Sequence, residues 1–158
     1  MKTKIEIKTI FGNVLFEYEA EDNNIKKTLE AAVKSGADIR GADLSGADLR
    51  GADLRGAYLS DWGKLQDTSD ILIVGPIGSR SGYTTIYHTE KGVFVMCGCF
   101  RGTLDEFAKK VEEMHGDNKH ARDYKALIEF AKAKYTKTSP KRICSTLVSV
   151  VRKYFSKA

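Results

Sequence analysis

The chain has 158 residues, 42% of them hydrophobic and 30% charged, with only two prolines, a globular composition that excludes a long proline-rich linker. The formal charge of +5 is unevenly placed: Ala131 to Ala158 hold eight basic residues and no acidic one, which leaves 18 basic against 21 acidic side chains in the remainder. The body is therefore slightly acidic, and the overall charge does not describe a nucleic-acid binder.

No run approaches the ~20 apolar residues of a membrane-spanning helix. The opening MKTKIEIKTI alternates charged and apolar residues where a secretory signal is continuously apolar. The three cysteines, Cys97, Cys99 and Cys144, are an odd set and too few for a disulfide framework. The expectation is a cytoplasmic, reduced protein with no membrane partner.

In chain order, the first element reads as a β-hairpin. Ile5 and Ile7 alternate with charged residues, Gly12-Asn13 supplies the turn, and Val14, Phe16 and Tyr18 alternate on the return. A helix follows, with Asp22 or Asn23 as N-cap, Ile25, Leu29, Ala32 and Val33 on one face, and Gly36 at the left-handed position that ends it.

From Gly36 to Ser60 the chain reads GADIR GADLS GADLR GADLR GAYLS, five successive units of five residues. Neither a helical nor a strand period fits, and a strict short period puts each unit in the same environment. The run resembles the pentapeptide-repeat family, whose units build a four-sided, right-handed β-helix. The resemblance implies that Ile39, Leu44, Leu49, Leu54 and Leu59 point inward, that Ala37, Ala42, Ala47, Ala52 and Ala57 fill the corners, and that the Asp, Arg, Ser and Gly positions face out. With about four units to a coil in that family, the run makes little more than one turn, so it must lean on its neighbours or on another copy of the chain.

After Trp62-Gly63 the pattern changes to strands. ILIVG, YTTIYHTE and VFVMCGCF, separated by glycine-rich stretches, predict a three-stranded antiparallel meander whose last strand is covered on both faces. Two helices follow. Thr103 with Glu106 forms a capping box, Leu104, Phe107, Ala108 and Val111 make the first apolar stripe, and Gly116 ends it. The second helix starts near Asp117-Asn118 and carries Ala121, Tyr124, Leu127, Ile128, Ala131 and Tyr135 on one side. A last amphipathic segment holds Ile143, Leu147, Val150, Val151 and Tyr154. It reads as a solvated helix, a contact for an anionic partner, or a cover on the acidic body. The expected fold is α+β: a short pentapeptide β-helix beside a small antiparallel sheet with covering helices. Its parts are 1–35 (hairpin and helix), 36–60 (repeats), 61–135 (α+β module) and 136–158 (basic segment).

Residues 74 to 124 are also similar to a module associated with small pentapeptide-repeat proteins of bacteriophages and prophages. The resemblance rests on Gly78-Ser79-Arg80, Tyr83, Cys97-Gly98-Cys99-Phe100, Gly102-Thr103, His115-Gly116-Asp117-Asn118, His120 and Tyr124. It implies a phage or prophage origin, hence the host bacterial cytoplasm, and brings no catalytic activity with it.

The segment Gly75 to Gly82 is the first place to look for chemistry. Its glycines free backbone N–H groups, Ser79 and Ser81 add hydroxyls, and Arg80 adds a planar fork suited to phosphate. It lacks the Gly-Lys-Ser/Thr ending of a Walker loop, and the plain alternative is a hairpin connection. In a three-stranded meander, Arg101 and Thr103 arrive at the same end of the sheet as Arg80. Thr103 opens a helix whose N-terminus favours an anion. The candidate ligand-binding set is therefore Ser79, Arg80, Tyr83, Arg101 and Thr103, with Tyr83 as a stacking surface; the alternative pairs the arginines with Asp105 or Glu106.

The other candidates are weaker. His115, Asp117 and His120, expected at the opposite end, fall on a helix–helix turn that reads as capping, with Gly116 as C-cap and Asp117 or Asn118 as N-cap, rather than as a metal site. Cys97 and Cys99, on one strand, read as core packing rather than zinc ligands, and His88 reads as structural. Ser79 has no evident base, and no Gly-x-Ser-x-Gly elbow occurs. The functional expectation is a non-enzymatic phage-type accessory protein, a homo-oligomer without a cofactor. It sequesters an anionic small ligand, such as a nucleotide signal of host defence. The alternative is a protein–protein interaction module in which the repeats and the basic tail contact a host protein.

Overall fold

The computed structural model describes residues 1–135; the basic segment expected over 136–158 lies outside them. The architecture is α+β. Strands β1 (Lys2–Lys8) and β2 (Val14–Glu21) form an antiparallel hairpin and helix α1 (Ile25–Ser35) follows. The N-cap of α1 is Asn24, one residue beyond the expected cap, whose side chain accepts from the Lys27 N–H. Gly36 ends the helix in the left-handed region, at φ 73°.

The repeats fold as a chain of turns, and their spacing has a local cause. The N–H groups of Ala42, Ala47, Ala52 and Ala57 donate to the carbonyls of Ile39, Leu44, Leu49 and Leu54 three residues back. Each glycine of these turns, Gly41 to Gly56, stands third in its turn at a positive φ of 66–87°, the place where a type II turn favours glycine. The aspartate two residues ahead of each Arg or Ser accepts that residue's backbone N–H through its Oδ1, at 2.9–3.3 Å from Asp38 to Asp53. Leu and Ala are then left to face inward. Ile39, Leu44, Leu54 and Leu59 are buried with Ala42, Ala52 and Ala57, whereas Leu49 and Ala47 of the third unit are only half-buried. Twenty residues on, the coil meets its own start: Tyr58 pairs in parallel with Asp38 and its carbonyl accepts the Ile39 N–H. No strand lies within the repeats.

The coil is covered by its own chain. Leu29 and Ala32 of α1 and Ile7 of β1 close one side, and one face of a larger sheet closes another. That sheet contains β3 (Ile71–Ile77), β4 (Gly82–Thr89), β5 (Gly92–Cys97) and β6 (Phe100–Thr103) in that order, all antiparallel. It has four strands, not the expected three, because Gly98 at φ 57° lets the chain turn back at Gly98-Cys99. What read as one strand ending at Phe100 is a hairpin: Cys97 pairs with Phe100 and Met96 with Arg101.

Alternation along these strands sorts the two faces. Tyr87, Phe94, Met96, Ile71 and Ile73 join the repeat core, where Trp62 stacks on Phe94 at a centroid distance of 5.0 Å. Ile86, Val95, Cys97, Leu72 and Val74 join a second core under α2 (Leu104–His115) and α3 (Lys119–Tyr135). Burial of each large aliphatic side chain contributes about 1.5–3 kcal/mol, so one sheet ties the two cores together. Gly116 ends α2, and Asn118 caps α3 by accepting from the N–H groups of His120 and Ala121.

Candidate functional site

A cavity of about 290 Å³ opens where the β3–β4 loop, the β5–β6 turn and the α2–α3 layer meet. Each element contributes for a local reason. The loop carries Ser79 and Arg80 and is pinned by Tyr124 of α3, whose hydroxyl lies where a Cβ on Gly78 would stand, at 1.9 Å. Only glycine accommodates that approach. Tyr83 stands second in β4, Cys97 ends β5, Cys99 lies in the β5–β6 turn, and Lys110, Met114 and His115 come from the second half of α2.

The floor is a short relay. The Thr84 hydroxyl, fully buried, donates to Cys97 Sγ at 3.2 Å, and the Cys97 thiol faces the Tyr124 hydroxyl at 3.7 Å. Burial first, and then the contact with Cys97, push the Tyr124 phenol up to about 12, while the Arg80 charge opposes the rise. The wall is aromatic. Phe107 packs tilted on Phe100 and edge-on to Tyr124, at 5.2 and 5.6 Å between centroids. Among the described residues the lining holds Arg80, Lys110 and His115 and no carboxylate. Arg80 has no ion-pair partner there, and Lys110 reaches Glu113 at 3.5 Å.

Of the five expected ligand-binding residues, the structure brings Ser79, Arg80 and Tyr83 together and sets Arg101 and Thr103 elsewhere. Arg101 stands opposite Met96, on the face that packs on the repeats. Its guanidinium lies beside Gly41 and over the Phe11 ring, 6.0 Å from the centroid. Burial pushes the Tyr87 phenol up, and the Arg101 charge opposes that rise on this face. Thr103 caps the N-terminus of α2, whereas the cavity lies along the second half of that helix. The anion position at that N-terminus is filled from within: the Thr103 N–H and hydroxyl both meet Glu106 Oε2, at 2.8 and 2.9 Å. Asp105 pairs with Lys132 at 3.1 Å. The expected convergence of both arginines and a free helix end therefore does not occur, because the sheet has one more reversal than the meander assumed.

That reversal also carries His115 into the cavity and not to the opposite end of the sheet, a residue that sequence reasoning placed wrongly. Its ring lies 5.7 Å from Tyr124 and 6.3 Å from His120, while Asp117 pairs with Lys125 at 2.9 Å. Among the described residues no group of three His, Cys, Asp or Glu side chains is placed to hold a metal. Cys97 packs against the second core, but Cys99 is exposed in the turn, so the expectation that both pack inside one strand holds only for Cys97. His88 is tied to Asp70 at 2.8 Å and stacked on Tyr135, as a structural residue would be.

The pentapeptide-repeat family model matches residues 35–61, with eight copies. Comparison with curated proteins and with solved structures finds no match. Among the described residues no helix is long and apolar enough to cross a membrane.

Proposed function

We propose that this is a non-enzymatic binding protein that sequesters a small anionic ligand carrying an aromatic ring, nucleotide-like in chemistry, in the cavity beside Arg80. The supporting observation is the lining, which among the described residues holds a guanidinium without an ion-pair partner, a lysine and a histidine, is ringed by aromatic side chains and contains no carboxylate. Arg80 takes the anion as a planar fork, Ser79 adds a hydroxyl donor, and Tyr83, half-exposed at the mouth, offers a face to a ring. Arg101 and Thr103 have no part in this reading. The volume is at the small end of ligand pockets, ~300–1,000 Å³, which suits one nucleotide-sized molecule. Residues 36–60 act as scaffold, one coil of a pentapeptide β-helix. Capture of a host-defence nucleotide by a phage-encoded protein in the bacterial cytoplasm would need affinity alone, which a cavity without a catalytic set can supply.

A second reading has its own support. Ile10, Phe11 and Val14 at the tip of the β1–β2 hairpin are about half-exposed or more, an apolar point suited to a protein partner or to a second copy of the chain. Thermal denaturation against mono-, di- and cyclic nucleotides tests the first reading. A ligand present at 100 times its Kd stabilises by about 2.7 kcal/mol. A rise with at least one nucleotide, lost in Arg80→Ala, is expected; no rise with any of them, together with co-purification of a host protein released by mutating Phe11, favours the second.

A further inference from the structure

Strand β3 is an edge of the larger sheet: it pairs with β4 on one side and, among the described residues, with nothing on the other. A free edge presents unpaired N–H and C=O groups, and folds blunt it with charge, proline or a covering segment. A bulge after Val74 and then Pro76 interrupt the ladder, but Ile71-Leu72-Ile73-Val74 holds no charge and no proline. All four side chains are half-buried, Leu72 and Val74 towards the helices and Ile71 and Ile73 towards the repeats. There Ile71 and Ile73 meet Ala47 and Leu49, the half-buried pair of the third unit, at a groove of about 330 Å³.

The occupant follows from where the chain leaves this edge. Tyr135, the last residue of α3, donates from its hydroxyl to the Ser69 carbonyl at 3.4 Å, two residues before β3 begins. Residues 136–158 therefore start beside the edge. Within them residues 143–151, ICSTLVSVV, hold no charge and are bracketed by Lys141-Arg142 and Arg152-Lys153. Five of these nine residues are β-branched, a composition that suits a strand. Apolar side chains fall on both alternating sets, which suits an edge covered on two faces. Residues 136–142 reach about 23 Å when extended, enough to lay that run along β3 in either direction. We propose that the free edge of β3 is the docking site of residues 143–151 of the same chain, which add to it as a fifth strand, fill the groove beside Leu49 and deny the edge to a second copy. The proposal does not depend on the cavity beside Arg80.

Residue-resolved hydrogen exchange on the full chain tests this. Leu147→Pro and Val148→Pro are made separately, because neighbouring N–H groups of a strand point to opposite sides and proline removes only its own. Leu147→Ala and Val148→Ala are the controls. The expected result concerns the amides of residues 71–74 that point away from β4. They exchange at least about tenfold more slowly in the native chain and both alanine variants than in one or both proline variants. The amides of β4 and β5 keep their native rates, and light scattering gives a monomer throughout. Edge amides that exchange freely in the native chain overturn the proposal; a segment packed there as a helix gives this result, since it offers those amides no backbone carbonyl. Edge protection that is the same in both proline variants as in the native chain also overturns it. So does protection that rises with protein concentration, which assigns the edge to a second copy.

Discussion

Arg101 stands directly across the β5–β6 ladder from Met96 and shares its face of the sheet, so its guanidinium is turned to Gly41 and Phe11 of the repeat side. Arg80, in the neighbouring loop, lines a cavity on the helix side with Phe107 and Tyr124. The two arginines lie on opposite faces of one sheet, Arg80 on the helix side and Arg101 on the repeat side. The cavity takes Arg80 and not Arg101, and is built from one loop, one turn and the second half of α2.

The close approach of Tyr124 to Gly78 fixes the loop that carries Ser79 and Arg80. In Gly78→Ala the new methyl would meet the Tyr124 hydroxyl at 1.9 Å, from a backbone at φ 75°. Overpacking costs about 1–3 kcal/mol and a left-handed non-glycine residue about 1–2 kcal/mol more. The expected outcome is a clear loss of stability in denaturant titration and a ligand affinity reduced at least tenfold, whereas Gly46→Ala, where nothing lies within 4 Å of the added carbon, leaves affinity unchanged.

Thr103 separates helix stability from binding. Its capping box is intact, and loss of a threonine cap costs about 1 kcal/mol. Along α2, of 12 residues, it stands roughly 18 Å from His115. Thr103→Ala should therefore lower the denaturation midpoint and leave the nucleotide Kd of the folded protein unchanged, as read by calorimetry under native conditions.

Much of this was legible from local chemistry. The Gly36 cap, the Thr103–Glu106 box and the hairpin turn at Gly12-Asn13 each depend on residues a few positions apart, and those short-range signals survive folding; the inward Leu and Ala positions followed from the family resemblance, and all but Ala37, Ala47 and Leu49 are buried. The β5–β6 reversal was not legible. VFVMCGCF is apolar throughout, and Gly98 was one glycine inside a continuous hydrophobic run; only the pairing of Cys97 with Phe100 shows that the chain turns there. That one unread turn displaced Arg101 and Thr103 from the expected site and hid the arrival of His115. A signal was present in glycine beside cysteine at the end of a strand-length run, but a bulge would have read the same way.

The aspartates of the third and fourth units make a pH prediction. The hydrogen bond from the Arg50 side chain, then the Arg50 backbone N–H, hold Asp48 down to about 2, and Arg55 does the same for Asp53. Carboxylates whose folded pKa lies below the unfolded value of about 3.9 stabilise the fold fully above that value, and the contribution is lost as pH falls towards 2. Both pairs are exposed, so the effect is modest and shrinks in salt. Asp48→Asn with Asp53→Asn keeps an oxygen for each turn N–H and removes the charge. The melting-temperature gap between the native chain and this double variant should be present at pH 6 and close between pH 4 and pH 2; a gap independent of pH would contradict the assignment.

The most direct measurement is isothermal titration of one nucleotide that raises the melting temperature, carried out in parallel on the native chain, Arg80→Ala and Arg101→Ala. A cavity beside Arg80 predicts a loss of about tenfold or more in affinity for Arg80→Ala, since a charge-assisted hydrogen bond contributes roughly 1.5–3 kcal/mol, and native affinity for Arg101→Ala. Equal losses in the two variants, or a loss confined to Arg101→Ala, would contradict the account and move the site to the repeat side of the sheet.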